Sequence, residues 1–229
     1  MNFCKITQIQ AVFILLFFLG CSTQKDAMLN RWYHKLNTKY NGLFYAKEHL
    51  SDGIKKIKEA HKDNYGNILF INEYADLKAA KSAQSSLDQA IEKSTNAIKQ
   101  HSMEIDGEEK NKLIPEAYMV IGKSKFYKRE YVPAINTFNY IARKSSNTET
   151  QTEALLWVAR CNQQLNNSQA LKKTLSNIEL DHYLNKKHEA VFFQIQAELA
   201  ISKKEYTTAI QLLSKAISKT KNKTLNTRM

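Results

Sequence analysis

Cys21 closes the run "AVFILLFFLGC", and its chemistry is set by what lies on either side of it. The nine apolar residues Ala11–Leu19 are too few to cross a bilayer, which takes about 20, and only polar residues follow. The other residues able to do chemistry form no constellation. His182 and His188 are six apart, outside the usual metal-ligand spacings, and Cys161 in "ALLWVARCNQQL" has no second cysteine nearby. It reads as a small buried apolar residue. Glu108 and Glu109 adjoin in a charged connector and read as a solvated acidic turn. His34, between Tyr33 and Leu36, reads as a helix-surface or partly buried residue. With no glycine-rich phosphate loop and no nucleophile elbow, neither an active site, nor a metal, nor a cofactor is expected. That leaves attachment and binding.

The attachment chemistry follows from "LGC". A polar segment with one cation, Lys5, precedes the apolar run, as in an export signal. Leu19-Gly20-Cys21 resembles the lipobox of bacterial lipoproteins, in which small residues before the cysteine permit cleavage and the cysteine becomes the acylated first residue. The resemblance implies a signal peptide over 1–20, lipid attachment at Cys21 and a tether over 21–27, so that the chain is anchored to a membrane without crossing it. Each buried methylene of such an anchor contributes about 0.8 kcal/mol.

Removing residues 1–20 takes away Lys5 alone among the charges, lowering the formal net charge from +12 to +11 over the remaining 209 residues. Lys215, Lys219, Lys221, Lys223 and Arg228 make the end of the chain basic. The export signal removes nucleic acid as a partner. An acidic protein surface, anionic lipid headgroups, cell-wall polymers or a merely solvated lysine face remain.

Two prolines and six glycines in 229 residues, with apolar residues at helical spacing, predict an all-α chain. Residues 28–102 form an N-terminal helical region. Leu29, Tyr33, Leu36, Tyr40, Leu43, Leu50, Ile54 and Ile57 predict one continuous seam over about 28–61, with Trp32 and Phe44 widening it toward a globular core. Gly42 and Gly53 weaken that helix by about 1 kcal/mol each or mark a bend. "KDNYGNILFINEY" reads as a packed loop, a second helix is expected over about 75–101, and 103–112 is a polar connector.

Residues 113–219 read as three repeats. "EAYMVIGKSKFYKREYVPAINTFNYIARKSSN" resembles a tetratricopeptide unit, with Tyr118 and Gly122 on a first helix and Tyr131, Ala134 and Phe138 on a second. Gly122 recurs as Ala159 and Ala197, at steps of 37 and 38, and Ala134 recurs near Ala170 and at Ala209, with Tyr206 matching Tyr131. Small residues at these places let antiparallel helices approach while aromatics fill the groove. The expected architecture is antiparallel helix pairs forming a tetratricopeptide-like right-handed solenoid, followed by a basic tail over 220–229.

"LNRWYHKLNTKYNGLF" directly after the lipobox, with "AIEKSTNAIKQHSM" and "GEEKNKLIPEAYMVIGKSKFYKREYVPAINTF", resembles the SprE/PorW-type tetratricopeptide lipoproteins of Bacteroidota. The resemblance implies an outer-membrane lipoprotein of the type IX secretion and gliding-motility machinery, non-enzymatic, facing the periplasm. Its implied partners are protein components of that machinery, and the membrane through acylated Cys21. Members of the family continue through more repeats, so this chain is expected to correspond to their N-terminal part. Two classes stay open: a scaffold whose concave surface, around Tyr118, Lys125 and Arg160, binds another component, and a substrate- or cell-wall-binding lipoprotein.

Overall fold

A computed structural model describes residues 26–66, 68–69, 71–72, 74–181 and 184–220. The expected signal peptide, Cys21, His182 and most of the basic tail lie outside the described residues. The described residues are all-α apart from one short hairpin. Helix α1 (Met28–Asn37) runs through a π-helical turn (Thr38–Leu43) into α2 (Phe44–Ala60), and α3 is Leu77–His101. Strands β1 (Glu104–Ile105) and β2 (Glu108–Glu109) follow, then α4 (Ile114–Tyr127), α5 (Tyr131–Lys144), α6 (Thr148–Gln164), α7 (Ser168–Asp181), α8 (Lys186–Ser202) and α9 (Tyr206–Lys219).

Side-chain oxygens mark where helices begin. Asp76, Asn147, Asn167 and Asn185 each accept a hydrogen bond from the amide three residues on, at 2.7–3.1 Å, which satisfies a donor with no partner inside the helix. Pro115 opens α4, where its missing N–H costs nothing.

The helices pack as antiparallel neighbours. Along α2 and α3, Gly42 lies against Ala97 while Gly53 lies against Leu87, so one helix descends as the other rises. Along α4 and α5, Tyr118 meets Tyr140, Gly122 meets Phe138 and Lys125 meets Thr137. Along α8 and α9, Glu189 pairs with Lys219 and Phe193 lies under Lys215, which gives two of the basic residues near the end of the chain a defined partner. Three apolar clusters run through the stack. The first joins α2 and α3 to Ala117 and Val120 of α4, the second joins α4 and α5 to α6, and the third joins α6 to α7 and α8.

The three turns inside these pairs are built alike. Arg129, Asn166 and Lys204 all take positive φ, at 66°, 54° and 63°, although none is glycine. The amide after each donates back across the turn, Glu130 to Lys125 O, Asn167 to Asn162 O and Glu205 to Ala200 O, all at 2.9 Å. This is the six-to-one closure of a Schellman motif. Its positive-φ residues recur at steps of 37 and 38 residues, the steps of Gly122, Ala159 and Ala197.

Several expectations need correction. Counted from the positive-φ residue, the position of Ala134 and Ala209 falls in α7 on buried Leu171, not on Ala170. Tyr206 is 48% exposed, because no described helix lies over α9 as α6 lies over Tyr131 on α5. The connector contains a β-hairpin whose Asp106-Gly107 turn has φ of 53° and 78°, the two-residue geometry that suits the twist of strands. Glu109 is no solvated acid: it accepts from the amides of Met103 and Asn111 at 2.9 and 2.8 Å and from the Ser102 hydroxyl.

The largest departure lies in the first helix. It is continuous from 28 to 60 as expected, but the seam is not. Leu43, Leu50 and Ile57 are buried, whereas Leu29, Trp32, Tyr33, Leu36, Tyr40 and Phe44 face outward. A π turn accommodates one extra residue, so the buried face steps from Leu43 back by five to Thr38 and then by four to His34. Polar bonds hold this shifted register. Nδ1 of His34 and of His101 lie 3.2 Å apart, and Asn111 Nδ2 donates to Thr38 Oγ1 at 2.8 Å and to His101 O at 3.0 Å.

Gly122 tests the close approach. A Cβ there would lie 2.5–2.9 Å from three ring atoms of fully buried Phe138. Overpacking costs about 1–3 kcal/mol, against about 1 kcal/mol gained in helix propensity. Gly122→Ala is therefore expected to lower the denaturant midpoint, and adding Phe138→Leu should recover part of the loss; a raised midpoint in the single variant contradicts this packing.

Candidate functional site

The segment that joins α2 to α3 does not take the short route. Its residues 71–72 and 74–75 lie across the faces of α4, α6 and α8, and Ile71, Tyr74 and Ala75 are buried there. The group that holds them is a buried carboxylate on α8, Glu198. Glu198 Oε1 accepts from the amides of Ile71 and Asn72 at 3.1 and 3.3 Å, and its Oε2 accepts from the Tyr74 hydroxyl at 2.8 Å. Arg160 Nη2 reaches Asn72 Oδ1 at 3.4 Å, Arg129 Nη1 donates to Ala75 O at 3.0 Å, and the Tyr74 ring meets Phe126 edge-on. One irregular segment is thus held by side chains from α6, α8 and the α4–α5 turn.

Burial raises the Glu198 carboxyl above its ordinary range, and burial followed by the Glu198 charge raises Tyr74 well above its own. The phenol therefore stays protonated and donates. Asn72 Nδ2 and Arg160 Nε are buried without a partner among the described residues. A cavity of about 300 Å³ adjoins the strap, walled by Ile68 and Leu69 on one side and by Asn162, Leu171, Glu198 and Leu199 on the other.

A second, more open trough of about 550 Å³ lies between α2 and the faces of α4 and α6. Four of its charges pair, Lys47 with Glu116 at 2.6 Å and Lys123 with Glu153 at 2.8 Å, while Glu149 accepts from Asn185 Nδ2 at 2.9 Å and Lys187 also lines it. Burial raises the Glu153 carboxyl, but Lys123, with Lys187 and His188 beyond, outweighs it and brings the group below its ordinary value. Lys123 and Arg160 both lie over the Trp157 ring, at 5.4 and 4.8 Å. No aromatic residue lines the trough.

Among the residues expected to form a binding surface, only Arg160 touches the strap. Tyr118 packs on Tyr140 with ring centroids 4.7 Å apart, and burial pushes its hydroxyl up to about 12. Lys125 is spent on Thr137. Gly122, Tyr131, Ala134, Phe138, Ala159, Ala197 and Ala209 are buried between helices. Cys161 is buried, and burial pushes its thiol up to about 12, so it is no nucleophile at neutral pH. His188 is buried with neither ring nitrogen partnered among the described residues, and burial holds its pKa below the usual imidazole value. Among the described residues no group of three potential ligands could hold a metal, and no helix is long and apolar enough to cross a membrane.

Glu198 is the residue that reading the sequence passed over. Its signal was a carboxylate among Phe192, Ile195 and Ala197 in "FFQIQAELA", four residues after Gln194, which together place polar groups on a buried face that demands partners. The donors lie more than 120 residues away in the chain, in a loop with no period of its own. No family model and no curated protein matches the chain.

Glu198→Ala should strip the strap of its acceptors, costing about 2–4 kcal/mol for the buried donors left behind, and should open residues 71–75 to hydrogen exchange before the helices. Glu198→Gln keeps the shape without the charge. Because the folded carboxyl is raised, its stabilising share is fully present below the ordinary carboxylate pKa and is lost as pH rises through the folded value. The Gln variant is thus expected to gain on the wild type in melting temperature from acid to neutral pH; a constant difference contradicts the assignment.

Proposed function

We propose that the chain is a non-catalytic, lipid-anchored scaffold of the outer membrane. In this reading residues 1–20 are a signal peptide and Cys21 carries the lipid. The helix pairs build a tetratricopeptide-like right-handed solenoid that binds other protein components of the type IX secretion and gliding machinery on the periplasmic side. The observation that carries the scaffold is the recurrence of one closed turn, with positive φ at Arg129, Asn166 and Lys204, in step with Gly122, Ala159 and Ala197. A fixed structural period is how a chain makes an extended binding surface from units that cannot each bury a core alone. The lipobox supports the anchor, and the resemblance to SprE/PorW-type lipoproteins supports the machinery.

The faces of α4, α6 and α8 supply the binding chemistry. They already hold one irregular segment through backbone amides, a tyrosine and two arginines, and beside it stand the charges of both signs that line the trough. A glycan-binding lipoprotein would instead need exposed aromatics converging with carboxylates, and the trough's Glu116 and Glu153 are bound to lysines and its Glu149 to the Asn185 amide, in a lining that includes no aromatic among the described residues.

Cys21→Ala is expected to leave the helical stack folded while releasing the protein from outer-membrane pellets or stalling its processing, read by fractionation and by mass. Quantitative sedimentation of that variant after a salt wash would remove the lipid as the anchor. Hydrolysis of peptidoglycan by the purified chain without its lipid would overturn the scaffold.

A further inference from the structure

Most of the outward face of the first helix is turned away from the fold, although its Tyr33 ring meets His101 edge-on with centroids 6.5 Å apart. Leu29, Trp32, Tyr33, Leu36 and Tyr40 are 77%, 61%, 50%, 38% and 57% exposed, and steps of three and four put them on one side. The opposite side is fixed, since His34 faces His101 and Thr38 accepts from Asn111. The helix therefore cannot turn its aromatics inward without breaking the bonds of the π turn.

We propose that this face lies on the surface of the phospholipid bilayer, its rings at headgroup depth and Lys35 and Lys39 beside anionic headgroups. The proposal rests on the reading of Cys21 as the acylated residue. Met28 follows Cys21 by seven positions, and an extended chain spans at most about 3.5 Å per residue, so the start of α1 is held within about 25 Å of the anchor. A mixture of Trp, Tyr and Leu bordered by lysines is the composition of a helix lying in the interface, where each ring keeps an apolar body in the lipid and a polar tip in water.

Charge selects the same occupant. Between Asp26 and Glu48 the chain carries Arg31, Lys35, Lys39 and Lys47 and no carboxylate. Arg31 is neutralised by Asp26 at 2.6 Å and Lys47 by Glu116, while Lys39 lies over the Tyr40 ring at 4.9 Å and Lys35 is exposed. The cations left for an external partner thus border the aromatic face, and the attraction between them and an anionic leaflet adds to the buried apolar area. From Met28 to Tyr40 the face is about 18 Å long at 1.5 Å per residue, a flat strip rather than a groove shaped for one side chain.

The two tryptophans make the test direct, because Trp32 is exposed and Trp157 is buried. The chain purified with its anchor would be reconstituted into vesicles of phosphatidylethanolamine and phosphatidylglycerol containing brominated acyl chains. Expected is quenching of the wild-type emission, absent in Trp32→Phe and reduced in Leu29→Ser with Leu36→Ser, both surface changes. Unquenched Trp32 in a chain that sediments with the vesicles overturns the proposal, as does a Trp32 blue shift that grows with protein concentration without lipid, which would make a second copy the occupant. The mass of the Cys21 peptide reads the anchor separately. If it carries no lipid, that reading falls, and the same quenching on chain added to preformed vesicles decides the face: quenching supports it and its absence overturns it.

Discussion

Helices packed nearer than full side chains allow are the constraint on which this molecule depends. Gly122 receives the Phe138 ring, Gly53 receives Leu87, and Gly42 lies on Ala97, so at each contact one partner surrenders its side chain and the other fills the space. Glycine inside a helix costs about 1 kcal/mol relative to alanine, and dispersion across the tight contact offsets that cost. Leu171, standing where the flanking pairs have Ala134 and Ala209, shows that the rule bends in the middle pair.

The same economy explains the first helix. Had α1 and α2 formed a regular α-helix, the seam from Leu29 to Ile57 would face one way. The π turn inserts one residue of rotation, putting His34 and Thr38 inside and the aromatics outside. Burying two polar side chains is tolerable because Asn111, His101 and the neighbouring backbone supply partners. What the core gives up in apolar contact, the surface keeps as an aromatic strip along the first helix.

The strap repeats this exchange of apolar for polar burial deeper in the stack. Glu198 is costly to bury as a charge, yet it takes the hydrogens of two amides and a phenol that would otherwise be unpaired in the same place. A link between two helices becomes a segment held on the faces of three others. The faces of α4, α6 and α8 thus hold backbone amides, a tyrosine ring and an asparagine side chain of that segment.

The sequence by itself determined the helical class, the start of most helices and the spacing of the last three pairs. Those properties are local: apolar period, capping side chains and small residues at fixed intervals act within one or two turns or between adjacent helices. Asp106-Gly107 was equally local, and its turn chemistry could have been read from the two residues alone. Only the tertiary structure decided which side of the first helix is buried, because Leu29 and Tyr33 fit a seam as well as any residues until Asn111 and His101 fix the register from outside. It alone decided the place of Glu198, whose donors come from a loop without periodicity. Long-range polar pairing leaves no repeating trace along the chain, since a single donor and acceptor meeting once in space impose no spacing on the residues between them.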